Sequence, residues 1–154
     1  MKTWVLLLLF GVSGTLNAQT VNFEDDFSDQ DISDWSGTTG DFDFIEENGN
    51  TLLQQVATGA GTSYLSIPST DVEGIWEFFV RLDGFSPSDG NRAEIYLMSD
   101  SQDLTSNLNG YKLRGGENLG GDVFRLFRVT NGSEANEVLT GTTDISTGGD
   151  FRVK

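Results

Sequence analysis

The sequence predicts an all-β chain, a two-sheet antiparallel β-sandwich, and three observations carry that prediction. Residues 74–83, GIWEFFVRLD, place Trp76, Phe78, Val80 and Leu82 alternately with Glu77, Phe79, Arg81 and Asp83. A period of two puts the first set on one face of an extended strand, and that face must be buried. Short runs of this kind recur along the chain at roughly the 8 to 12 residue spacing of all-β sandwiches. No window longer than about ten residues holds the i, i+3, i+4 apolar spacing that a surface helix needs.

The elements follow in order. Phe23 and Trp35 bracket an acidic segment and anchor an N-terminal strand and its loop. Residues 42–46 and 52–56 flank Asn48-Gly49-Asn50, a strong hairpin signal. Residues 63–67 form a short strand, and 74–83 the central strand. A loop carrying Pro87 and Gly90 leads to 92–99, so these two strands are expected to make a second hairpin. After a polar loop, 100–109, come strands at 111–114 and 123–129, separated by a glycine-rich turn at 115–121. Asn131-Gly132 is another turn; with Ser133 it also fits a glycosylation sequon, and the turn reading is preferred. A short strand at 137–139 and an unpatterned loop at 141–149 follow. Residues 151–154 read as the opening of a strand with nothing to complete it, which predicts a truncated frame and a missing or frayed last strand.

The chain has 154 residues, enough for one core and one domain. Lys2, the apolar run 4–12 and the small polar tail 13–18 read as a secretory signal peptide, residues 1–18, cut near Ala18. That apolar run is about half the roughly 20 residues a bilayer span needs, which argues against membrane insertion. The remaining residues, 19–154, form the domain, and the protein is expected outside the cell or at its surface.

A formal net charge of −15, made more negative when Lys2 leaves with the leader, repels phosphates and anionic lipid head groups. Nucleic acid is therefore disfavoured as a partner. With no cysteine there is no disulfide, so stability rests on the core or on bound metal. With no histidine, Ser/His/Asp and Cys/His triads are excluded along with most zinc and copper sites.

Five stretches together carry a resemblance: FEDDFSDQDISDW, GTSYLSIP, WEFFVRLD, RAEIYLMSDSQDLTSNLNGYKLRGG and DVFRLFRVTNG. Spanning residues 23–154, with 96–114 the most specific part, they are similar to the concanavalin A-like (lectin/glucanase-type) jelly roll of large secreted bacterial surface proteins. The resemblance implies a jelly roll, and a longer parent protein in which a lamin-tail-type domain and a sorting domain often follow. The departure is the missing C-terminal portion. A fold shared by lectins, hydrolases and spacers does not assign a function.

Catalysis finds little support. Glucanases of the resembling type carry Glu-x-Asp-x-x-Glu on one strand, setting two carboxylates about 5 Å apart for a retaining mechanism. That pattern is absent. Glu77 and Glu94 are able to face each other across neighbouring strands, but Arg81 and Arg92 lie close enough to pair with them as surface salt bridges.

A glycan-binding face is the leading expectation. Taking Trp76/Phe78/Val80/Leu82, Ala93/Ile95/Leu97, Tyr111/Leu113 and Phe124/Leu126 as core leaves Glu77, Phe79, Arg81, Glu94, Tyr96, Met98, Lys112, Arg114, Arg125 and Phe127 opposite. Rings stack on sugar CH faces and guanidinium groups hydrogen-bond hydroxyls or carboxylates, so an acidic or neutral polysaccharide suits Phe79, Arg81, Glu94, Tyr96, Arg114, Arg125 and Phe127. An ordinary outer face, covered by a loop or by another domain of the parent, fits the same residues. Calcium is the third expectation: Asp25, Asp26, Asp29 and Asp31, with Asp34, crowd hard oxygen ligands together, although not in EF-hand order. A solvated acidic turn is the competing reading. The function expected is therefore a non-catalytic, glycan-binding or adhesive accessory domain, against a ligand-free spacer or an incomplete hydrolase.

Overall fold

A computed structural model describes residues 21–82, 87–117 and 121–154. The expected signal peptide, residues 1–18, lies outside the described residues. The chain is all-β: ten strands and one short 3-10 turn, Thr39–Asp41, with no α-helix among the described residues. The strands are β1 Ser36–Gly37, β2 Phe42–Glu47, β3 Asn50–Gln55, β4 Leu65–Ser66, β5 Phe78–Leu82, β6 Ala93–Ser99, β7 Gly110–Gly115, β8 Phe124–Thr130, β9 Ser133–Thr140 and β10 Gly149–Val153. All pairing is antiparallel: β6-β7-β8-β9 form a four-stranded sheet, while β5 with β10, β2 with β3, and β1 with β4 form two-stranded ladders.

Both Asn-Gly hairpins form. Asn48 and Gly49 have φ of 51° and 83°, and Asn131 and Gly132 have 51° and 74°. Two successive positive φ values make the turn whose twist matches that of the strands it joins, and Asn-Gly reaches them at least cost. The second turn is also clamped from outside. Gly132 N–H donates to the Leu108 carbonyl at 2.8 Å, and Asn131 N–H to Asn109 Oδ1 at 3.0 Å.

Two expectations about pairing are corrected. The second hairpin does not form: β5 and β6 lie in different sheets. The last strand is neither missing nor frayed: β10 pairs with β5 over five positions, Gly149 opposite Leu82 to Val153 opposite Phe78. The reason is geometric. Phe151 sits opposite Val80, and its ring meets Phe124 of β8 edge-on at 5.8 Å, so pairing with β5 also packs β10 against the large sheet.

This contact defines the two layers. Phe78, Val80 and Leu82 share a face with Phe151, and that face looks toward the Phe124/Leu126 side of the four-stranded sheet. Gly115 makes the approach possible, since a Cβ there would lie 2.6 Å from the Phe124 ring and 3.0 Å from Ile145 Cδ1. Ile145, from the loop expected to lack pattern, is fully buried, and so is Leu108 from the polar loop. Among the described residues no helix is long and apolar enough to cross a membrane.

Candidate functional site

The face of the four-stranded sheet turned away from Phe124 carries most of the predicted site. Register fixes who shares it. Glu94 pairs with Arg114 and Tyr96 with Lys112 across β6 and β7; Lys112 pairs with Phe127 and Arg114 with Arg125 across β7 and β8. Directly opposed residues of antiparallel strands point to the same side, so these six side chains form one surface. Met98, expected beside Tyr96, lies on the other side. An irregularity between Tyr96 and Met98 sets Met98 opposite Tyr111 and flips the parity of the strand beyond it.

Strand β9 adds what the alternation could not show. Two register shifts against β8 set Glu137 opposite Phe127 and Glu134 opposite Val129, with Thr140 opposite Arg125. Each bulge inserts one residue, so the period along this face becomes three instead of two. Glu134, Glu137 and Thr140 thereby face the cations of β7 and β8. Strict alternation would have brought Glu134 and Glu137 to opposite sides.

The result is a chain of alternating charge. Arg92 Nε donates to Glu94 Oε1 at 2.8 Å, and Lys112 Nζ donates to the same oxygen at 2.8 Å. Lys112 Nζ also lies 3.0 Å from Glu134 Oε1, and Arg114 Nη1 donates to Glu134 Oε2 at 2.7 Å. Arg125 donates through Nε and Nη2 to Glu117 Oε1, at 3.0 and 2.7 Å, and through Nη1 to Thr140 Oγ1 at 3.3 Å and Glu137 Oε2 at 3.4 Å. Rings are threaded through it: Lys112 Nζ lies 5.7 Å from the Tyr96 ring centroid, and the Arg114 guanidinium 4.8 Å from that of Phe127.

Central position in the sheet buries these groups. Lys112 is only 6% exposed and Phe127 8%. Burial alone would push the Lys112 ammonium down, yet its bonds to Glu94 and Glu134 outweigh that and hold it above the ordinary value. Burial raises the Tyr96 phenol, with the Glu94 and Glu134 carboxylates acting in the same direction and Lys112 against them. Donation to the Glu117 carboxylate holds Arg125 further into its charged form.

The seven residues expected to line one face divide into two groups. Glu94, Tyr96, Arg114, Arg125 and Phe127 lie together on the large sheet. Phe79 and Arg81 lie on β5, in the other layer, with Arg81 held by Asp150 at 2.6 and 2.9 Å and by Glu47. Phe127, expected as an exposed stacking ring, is instead covered by its cross-strand neighbours, and Tyr111, expected in the core, is more than a third exposed. The two glutamates considered for catalysis are also apart: Glu77, near β5, pairs with Arg152 and Lys154, and Glu94, on β6, with Arg92 and Lys112.

The acidic segment uses its carboxylates on its own backbone. Asp25 accepts from Phe27 N–H at 2.9 Å and Trp35 Nε1 at 2.7 Å; Asp26 from Ser28 N–H at 3.0 Å; Asp29 from Asp31 N–H at 3.1 Å; and Asp31 from Ser33 N–H at 2.8 Å. These are successive Asx turns, the reason Asp is favoured in such loops. Asp26 is held below the usual carboxylate range by the Ser28 bonds. With Phe23, Trp35 and Ile67 the segment lines a cavity of about 480 Å³. Among the described residues, no group of three or more carboxylates is arranged to hold a metal ion.

No family model, no curated protein and no solved structure matches the chain.

Proposed function

We propose that the chain is a secreted, non-catalytic β-sandwich module of concanavalin A-like jelly-roll type that binds glycan at the cell surface through the Glu94–Tyr96–Lys112–Arg114–Phe127–Glu134 face. One observation supports this reading above the others: a sheet face built from interlocked carboxylates, cations and rings, held in place by its own contacts. Sugars present many hydroxyls in fixed directions and weakly apolar CH faces. Polar groups already fixed in place bind such ligands without a large ordering cost, and Tyr96 supplies an aromatic edge beside them. The separation of Glu77 from Glu94 supports binding over hydrolysis.

A spacer that docks on another domain is the alternative. Val72, Ile75 and Phe79, each at least half exposed and within eight residues of one another in the sequence, favour it, since exposed large apolar side chains are what domain contacts cover. A glycan array and polysaccharide pulldown separate the two readings. Binding by the wild type that is lost in Tyr96→Ala and Arg114→Ala, with the β-type circular dichroism retained, is the expected result. Failure of the folded wild type to retain any polysaccharide makes the spacer the better reading.

A further inference from the structure

Resting on the glycan-binding reading, we infer that the four-stranded face selects neutral, hydroxyl-rich glycans and rejects uronated or sulfated ones. Selectivity follows from which donors and acceptors the face has free. A carboxylate or sulfate on a sugar needs a guanidinium or ammonium able to turn toward it. On this face Arg92, Lys112, Arg114 and Arg125 each hold at least one glutamate, and Lys112 and Arg125 each hold two.

Recruiting Lys112 or Arg114 to an anionic ligand would strip Glu134 of a partner while leaving its side chain three-quarters covered. A largely covered charge that loses one of its two partners is costly, and the ligand's own charge adds repulsion from the nearby glutamates. The whole chain, at −15, opposes the approach of a polyanion from a distance as well.

What the face still offers is acceptors. Arg92 and Lys112 both donate to Oε1 of Glu94, and both Arg125 bonds to Glu117 go to Oε1. Among the described residues, Oε2 of Glu94 and Oε2 of Glu117 receive no hydrogen bond. A sugar hydroxyl donates to such an oxygen; a carboxylate or sulfate cannot. Charge-assisted bonds of this type are among the strong ones, and the cation on the first oxygen holds the glutamate in position.

The test uses the wild-type domain against immobilised neutral polysaccharides (laminarin, glucomannan, arabinoxylan) and anionic ones (polygalacturonate, alginate, dextran sulfate), at low and high sodium chloride. Neutral glycans are expected to bind at least about tenfold more tightly, with affinity changing no more than about twofold with salt. Glu134→Gln, which loosens Lys112 and Arg114, is expected to gain binding to polygalacturonate. Glu94→Gln is expected to weaken neutral binding. Stronger binding to the anionic set, falling with salt, overturns the selectivity while leaving glycan binding intact. Binding to neither set overturns both.

Discussion

Two arginines in this molecule lie over phenylalanine rings, and their surroundings differ. Arg114 sits 4.8 Å from the Phe127 centroid on the four-stranded sheet, and Arg81 sits 5.8 Å from the Phe79 centroid on β5. Phe127 is 8% exposed and Phe79 50%. Composition does not separate them: each arginine also pairs with a carboxylate. Position in the sheet does. β7 and β8 are flanked on both sides, so each side chain is walled in by cross-strand neighbours, whereas among the described residues β5 has one strand partner, β10. Desolvation strengthens cation–π and ion-pair contacts and raises the cost of breaking them. The same pair of residue types is therefore structural in one layer and a surface decoration in the other.

Truncating the rings tests this contrast most severely. Phe127→Ala is expected to cost about 3 to 4 kcal/mol in denaturant unfolding, and Phe79→Ala no more than about 1 kcal/mol. Equal losses would break the comparison. The carboxylates come next. Glu134→Ala leaves Lys112 and Arg114 without their shared partner and is expected to cost about 2 kcal/mol. Asp150→Ala, on an exposed pair, is expected to move the melting midpoint far less. A larger shift from Asp150 would mean that the β5–β10 layer is the more tightly coupled of the two.

The smallest effect lies in the pH dependence, where the two pairs act at opposite ends. Arg81 holds Asp150 below the usual carboxylate range, so its contribution is present above the unfolded value and lost as pH falls through the folded one. Lys112 is held above its ordinary value, so its contribution is present below the unfolded value and lost as pH rises through the folded one. Thermal melts across pH should show Asp150→Asn flattening part of the acid slope alone, and Lys112→Met part of the alkaline slope alone. A change at the wrong end in either variant would contradict the assignment.

Local signals are legible in the sequence. Asn48-Gly49 and Asn131-Gly132 announce their hairpins because positive φ at two successive residues is a property of the turn itself. The alternation of β5 gave its faces correctly, with Leu82 buried and Phe79 exposed. Glu134 and Glu137 were missed because bulges break the period of two, and nothing in Ser-Glu-Ala-Asn-Glu-Val-Leu-Thr marks where the extra residues fall. Leu108 and Ile145 were missed because a lone apolar residue in a polar loop has no period. Their burial comes from the loop folding back, as the Gly132 to Leu108 bond shows for the first.

By itself, the sequence determined the all-β class, the two tight turns, the acidic net charge and the exclusion of histidine- and cysteine-based chemistry, because each depends on residues a few positions apart or on totals. Tertiary structure decided which strand β5 would pair with, which carboxylate would meet which cation, and which of two similar arginine–phenylalanine pairs would be buried. Those outcomes depend on contacts between distant segments. A shift of one residue in register reverses the face of everything beyond it.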